Sequence, residues 1–112
     1  MNLSDWQKIV DKWINEYGIR YYDEMTNTVI LFEECGELAR LMARKYGEQS
    51  FKNDITQEEI VEKIEEEIAD IFFVLTCLSN QMNIDLTEIL DRNITKKSSR
   101  DKNRHYNNKK LQ

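Results

Sequence analysis

Apolar residues recur at helical spacing in four stretches of the chain, and polar or glycine signals separate them. Trp6, Ile9, Val10, Trp13 and Tyr17 form the first stripe; Ser4, with Gln7 three residues on, reads as a capping box at its start and Gly18 as its end. A second helix is expected from Asp23 to Tyr46, where Met25, Val29, Phe32, Leu38, Leu41 and Met42 make a broad stripe and Gly47 supplies a stop. GEQSFKNDI is the expected loop. Thr56 with Glu59 caps a third helix running to about Gln81, whose second half is apolar nearly all round, a pattern that asks for cover on several sides. Asp85 with Glu88 caps a fourth, containing Leu86, Ile89, Leu90 and Ile94, after which the apolar signal stops.

Composition agrees with this pattern. The 112 residues include no proline and three glycines, so long helices are favoured over a turn-rich β fold, and the length suits one small domain that gains from oligomerisation. Residues 1–106 read as that domain and 107–112 as a basic flexible tail. From Asp54 to Asp70 there are eight acidic residues and one lysine; from Arg92 onward there are eight basic residues and one acidic. Cys35 and Cys77 lie in helical patterns without metal-type spacing and read as small buried residues of a reducing compartment. No apolar run of membrane-spanning length and no leader pattern is present, so a cytoplasmic protein without membrane association is expected. The negative net charge of −5 and the lack of aromatic-interleaved basic patches weigh against nucleic acid as a partner.

The stretch LFEECGELAR breaks this regularity. It places Glu33, Glu34 and Glu37 and an interior glycine in a run that otherwise reads as buried helix, although like charges at that spacing repel and such a glycine costs about 1 kcal/mol. Glu34 and Glu37 share a face one turn apart, and Glu67 and Asp70 repeat the spacing on the next helix. Two antiparallel helices so equipped can converge four carboxylates. Those groups must then either take up protons or bind a cation, and an all-oxygen set suits Mg²⁺ or Mn²⁺. Asp70 is flanked by apolar residues in IADIFFVL, where a solvated carboxylate is not expected, and Gly36 suggests close approach of another backbone or a ligand. Glutamate clusters are more often solvated faces, and Glu58, Glu59, Glu62 and Glu65, with Lys63 among them, read that way. A di-iron bundle requires Glu-x-x-His on two helices; the single histidine, His105, lies in the tail.

Glu33-Glu34-Cys35-Gly36-Glu37 followed by Glu67-Ile68-Ala69-Asp70, in the phrases EECGELARLMARKYGEQ and EEEIADIFFVL, resembles the MazG-like family of nucleoside triphosphate pyrophosphohydrolases. DRNITKKSSRDKNRH resembles the family's basic motif, with Lys96 and Arg100 as its cations, and the likeness covers most of residues 22–106. The resemblance implies an all-α, four-helix bundle-like protomer assembling into a dimer or tetramer. It also implies Mg²⁺ on Glu34, Glu37, Glu67 and Asp70, triphosphate contacts from Lys96 and Arg100, and a water-handling role for Glu33, with Glu66 available to a second ion. The implied reaction is attack of water on the α-phosphorus of an NTP or dNTP, releasing pyrophosphate, of the kind that removes noncanonical or surplus nucleotides. Two rivals remain: a helical interaction module without turnover, and a narrower enzyme acting on dUTP, dCTP or phosphoribosyl-ATP. Trp6 and Trp13, seven apart, read as core or interface anchors; Tyr21 and Tyr22, at the entry to the second helix, are candidates for lining a base pocket, which the sequence does not decide. Ala69 and Cys35 depart mildly from the family pattern, and neither is a proposed ligand.

Overall fold

The two longest apolar stripes pair as an antiparallel hairpin, and the other helices are laid on it. In the computed structural model, which describes residues 1–112, these are α2 (Glu24–Tyr46) and α3 (Gln57–Gln81); α1 (Leu3–Trp13) precedes them and α4 (Leu86–Asp101) follows, with no strand. Amide and amine contacts tie the hairpin at both ends. Asn27 Nδ2 donates to Gln81 Oε1 at 2.7 Å near one end, and Lys45 Nζ donates to Gln57 Oε1 at 2.8 Å near the other.

Local signals set the boundaries. Asp23 caps α2 by accepting from Thr26 N at 2.7 Å, and Thr56 caps α3 by accepting from Glu59 N at 3.1 Å. Gly47 ends α2 for a steric reason: a Cβ there would lie 2.5 Å from Ala43 O. Asn83, at φ 55°, turns the chain out of α3 while Ile84 N donates back to Ser79 O at 2.8 Å. Asp85 then caps α4 through Glu88 N. The fourth helix continues beyond its last apolar residue, Ile94, to Asp101; turns follow, and Lys109–Leu111 form one short 3₁₀ turn capped by Asn108.

The start of α1 differs from expectation. Its capping box is Asn2 with Asp5, not Ser4 with Gln7: Asp5 N donates to Asn2 Oδ1 at 2.8 Å and Asn2 N to Asp5 Oδ2 at 3.2 Å. Asparagine caps as well as serine, and starting there frees Gln7 for a tertiary role. Gln7 Nε2 donates to Asn80 Oδ1 (3.0 Å) and Ile84 O (2.8 Å), while Leu86 N donates to Gln7 Oε1 (3.0 Å). One side chain thus joins α1, the end of α3 and the start of α4. Beyond Trp13 the helix widens into a π turn, Ile14–Gly18, and Ile19, at φ 69° and ψ −55°, is the centre of a γ-turn closed by Arg20 N donating to Gly18 O at 2.7 Å, a positive-φ conformation that β-branched residues rarely take.

The core is thin. Val10, Leu41, Ile60, Val74, Cys77 and Leu78 are its buried apolar members, and nine of 112 residues are buried in all. Trp6 anchors α1 to α3, its indole N–H donating to Thr76 Oγ1 at 2.8 Å. The radius of gyration is 18.0 Å, against about 13 Å for a closed domain of this length. The expected all-α class is found, but the four helices do not close into a bundle within one protomer: α4 packs chiefly on α1. Met25, Val29 and Phe32 on α2 and Ile68, Phe72 and Leu75 on α3 remain exposed. Gly36 continues the first of these stripes, and a Cβ there would meet nothing within 4 Å, so the close approach expected at this glycine does not occur inside the protomer. Cys35, expected to be buried, is exposed, whereas Cys77 is buried. No helix is long and apolar enough to cross a membrane.

Because Gln7 satisfies three polar groups at a three-helix junction, Gln7→Ala is expected to cost about 2–4 kcal/mol, against about 1 kcal/mol for Asn2→Ala and under about 0.5 kcal/mol for Ser4→Ala. Urea denaturation at one protein concentration ranks the three; a Ser4→Ala loss equal to that of Gln7→Ala would contradict the assignment.

A candidate metal centre beside an aromatic cavity

The antiparallel pairing of α2 and α3 brings the two E-x-x-[ED] pairs to the same level of the hairpin. Glu34, Glu67 and Asp70 each offer a carboxylate oxygen, and these three atoms lie within 4.8 Å of one another. Glu67 Oε2 is sealed from solvent and has no donor, the one side-chain polar atom in the protein in that condition. An anionic oxygen of this kind is costly unless it holds a proton or a cation. In the metal-free protein the proton is the remedy: a hydrogen bond shared with Glu34, then burial, then the charges of Glu34, Asp70 and Glu37 push the Glu67 carboxyl up to about 7. Asp70 is likewise raised, first by desolvation and then by Glu34 and Glu66. The residues fit a hard divalent ion, since the donors are all oxygens and their orphaned member points into the cluster.

The other expected site residues are placed differently. Glu37 stands outside the 4.8 Å cluster, and Arg40 Nη2 donates to its Oε2 at 3.3 Å one turn further on. Its charge still reaches Glu67. Glu33 is exposed on the flank of α2 and takes no part in the cluster. Asp70 is exposed although its sequence neighbours are apolar, and it borders a different opening from Ile68 and Phe72, which lie on the other side of α3. Lys96 and Arg100 are exposed on α4, and Arg100 is bound to its neighbour Asp101 by two hydrogen bonds of 3.1 and 3.0 Å. Within one protomer α4 does not bring them to the hairpin seam.

Glu34 and Asp70 also line a cavity of about 460 Å³ between the hairpin and the segment that joins α1 to α2. Trp13, Tyr21, Tyr22 and Phe73 provide aromatic walls, and Arg20 a cation. Trp13 meets Phe73 edge-on with ring centroids 5.6 Å apart. Tyr21 and Tyr22 therefore line a pocket as expected, and Trp13 joins them there, having been expected as a core or interface anchor. Tyr21 is pinned, its hydroxyl donating to Asp11 Oδ1 at 2.7 Å and accepting from Asn80 Nδ2 at 3.0 Å. Burial pushes the Cys77 thiol in the wall up to about 11, so it is no nucleophile at neutral pH. Arg20, Asn27 and Phe73 were missed by sequence reading. Arg20 had a signal, since it adjoins the two tyrosines; Asn27, polar within the stripe of α2, had a weaker one.

Residues 23–105 match the model of the MazG nucleotide pyrophosphohydrolase domain. The chain belongs to the MazG family. YpjD of Bacillus subtilis is 39% identical over 102 residues, covering 91% of this chain and 88% of that protein. A crystal structure of YpjD, described as a candidate pyrophosphatase, superposes with a TM-score of 0.75 at 36% identity over 86% of this chain and 94% of the other. A Bacillus-conserved MazG protein, described as a nucleotide pyrophosphohydrolase, gives 0.74 at 34% identity over 92% and 96%. The match thus spans both E-x-x-[ED] pairs and α4, and begins immediately after Tyr21 and Tyr22.

The proton held by Glu67 makes the stability of this MazG domain depend on pH. The unfolded chain ionises Glu67 near 4.5, the folded metal-free protein near 7. Stability from this group is therefore fully present below about 4.5 and lost as pH rises through about 7. Asp23 and Asp101, whose carboxyls are held below the usual range by hydrogen bonds, lose their contributions only at lower pH. Metal-free protein should melt at a lower temperature at about pH 8 than at about pH 5.5, Mg²⁺ should raise the melting temperature more at the higher pH, and Glu67→Gln should flatten the metal-free slope. Identical slopes for wild type and Glu67→Gln would contradict the shared-proton state.

Proposed function

We propose that the chain is a Mg²⁺-dependent nucleotide pyrophosphohydrolase that cleaves (d)NTPs to (d)NMPs and pyrophosphate. The observation that carries this reading is the three-carboxylate cluster opening on an aromatic-lined cavity through two shared residues, Glu34 and Asp70. Phosphoryl transfer asks chiefly for positioning and charge neutralisation, and the two features supply one each. Glu34, Glu67 and Asp70 would hold the ion, with Glu37 joining on release from Arg40; bound there, Mg²⁺ or Mn²⁺ polarises phosphate oxygens and acidifies water. The base stacks among Trp13, Tyr22 and Phe73, which places the α-phosphate towards Glu34 and Asp70. Arg20, exposed at this cavity, suits phosphate oxygens by charge. Glu33 as the residue that handles the attacking water, Glu66 as a ligand to a second ion, and Lys96 and Arg100 as triphosphate contacts rest on the motif match.

Lys96 and Arg100 lie on a helix that stands away from the seam, and the hairpin displays apolar stripes on both helices. A second copy covering Met25, Val29 and Phe32 would complete the thin core, use the smooth surface at Gly36, and allow a partner's α4 to reach the phosphates. A homo-oligomer is therefore part of the proposal. Two unpaired cysteines suit a reducing, cytoplasmic setting.

Incubation with a panel of NTPs and dNTPs and Mg²⁺ should yield monophosphate and pyrophosphate in equal amounts. Release of orthophosphate instead, or silence across the panel, would count against the reading, and silence without Mg²⁺-linked nucleotide binding would favour an interaction module. Glu34→Gln and Asp70→Asn should each lower kcat on the order of 100-fold or more while leaving helix content intact. A variant with near-full turnover would remove that carboxylate from the site.

A further inference from the structure

Asn27 is the one buried polar residue in the wall of the aromatic cavity, only 5% exposed. Its orientation is dictated by a main-chain group. The carbonyl oxygen of Tyr22 can only accept; it receives hydrogen bonds from Gln81 Nε2 and, at 3.5 Å, from Asn27 Nδ2. With its amide nitrogen turned to Tyr22, Gln81 presents Oε1 to Asn27, whose Nδ2 donates to it at 2.7 Å. Flipping either amide would set oxygen against oxygen. Both hydrogens of Asn27 are thus committed, and Oδ1 is left without a donor from the protein. This oxygen is not sealed in, since Glu67 Oε2 alone is both sealed and unpartnered, and the space that Asn27 borders is the cavity. The neighbouring hydroxyl of Tyr21 offers no free donor either, being spent on Asp11.

Resting on the reading of this cavity as a nucleotide site, we infer that Asn27 reads the base: its Oδ1 accepts a hydrogen bond from an exocyclic amino group, favouring cytosine and adenine nucleotides over their keto counterparts. An amino group stands out from the ring and can reach a recessed acceptor. The ring N–H of uracil or thymine is flanked by two carbonyl oxygens and that of hypoxanthine by one, and approaching Oδ1 brings a carbonyl oxygen against it and against the Tyr22 carbonyl. An unpaired or opposed polar group at such a wall is penalised by more than the bond it forgoes. Gln81 is the positioning residue, acting through Asn27.

Two substrate pairs isolate the amino group, dCTP with dUTP and dATP with dITP. Wild-type kcat/KM should favour the amino member of each pair by about tenfold, and calorimetry should find dCMP bound more tightly than dUMP by a similar factor with no turnover involved. Gln81→Met releases the amide of Asn27 and should bring both ratios close to one, through KM rather than kcat. Cleavage of triphosphates with equal or reversed ratios would overturn the inference while leaving the hydrolase reading intact. Absence of cleavage with the dCMP preference retained would do the opposite. Wild-type ratios that survive in Gln81→Met would refute the locked amide as their cause, and equal binding of dCMP and dUMP would refute base reading by Asn27 without recourse to any variant.

Discussion

Three carboxylate oxygens within 4.8 Å of one another are the constraint around which the rest of the protein is arranged. Two ionised groups at that separation repel by about 1 kcal/mol in bulk water and by about 3–4 kcal/mol at the effective dielectric of a protein surface. A helix pair held by a thin core tolerates such repulsion only because the hairpin is fastened elsewhere: buried Leu41, Ile60, Val74 and Leu78 lie along it, and amide contacts tie its two ends. The cluster is costly to the fold, and a proton shared by Glu34 and Glu67 offsets that cost; a divalent cation would do the same.

The remaining elements serve that seam. α1 is fixed to α3 through Trp6 and Thr76 and through the Gln7–Asn80 pair, so the π turn and Ile19 deliver Arg20, Tyr21 and Tyr22 to a defined place beside the carboxylates. Asn80 links both tasks: one nitrogen donates to Gln7 O at the three-helix junction and to the Tyr21 hydroxyl at the cavity. Packing, wall geometry and the orientation of polar atoms in the cavity therefore depend on one connected set of side chains. The exposed apolar stripes of α2 and α3 lie outside this set, and α4, with Lys96 and Arg100, stands away from the seam.

Much of this was legible in the sequence because its cause is local. The 3.6-residue period of α2 and α3, the caps Asp23, Thr56 and Asp85, and the stop at Gly47 act within a few residues, and the antiparallel pairing brings three of the four spaced carboxylates together, Glu37 staying with Arg40. The misreadings have non-local causes. Gln7 satisfies a capping-box pattern but is taken by Asn80, Ile84 and Leu86, more than seventy residues away. Cys35 is exposed and Asp70 borders the open cavity beside the segment joining α1 to α2, arrangements set by how the helices pack and not by their own periodicity. Asn27 carries only the weak signal of one polar residue in the first turn of α2; its orientation comes from a backbone carbonyl and a glutamine on another helix.

Titration of the purified protein with Mn²⁺, read by the loss of the free-ion electron paramagnetic resonance signal, tests whether the carboxylate cluster holds a cation. Saturable uptake is expected at neutral pH, weakening in acid and lost in Glu34→Gln and Asp70→Asn. Uptake that is absent, or that persists unchanged in both variants, would contradict a cation site at the cluster.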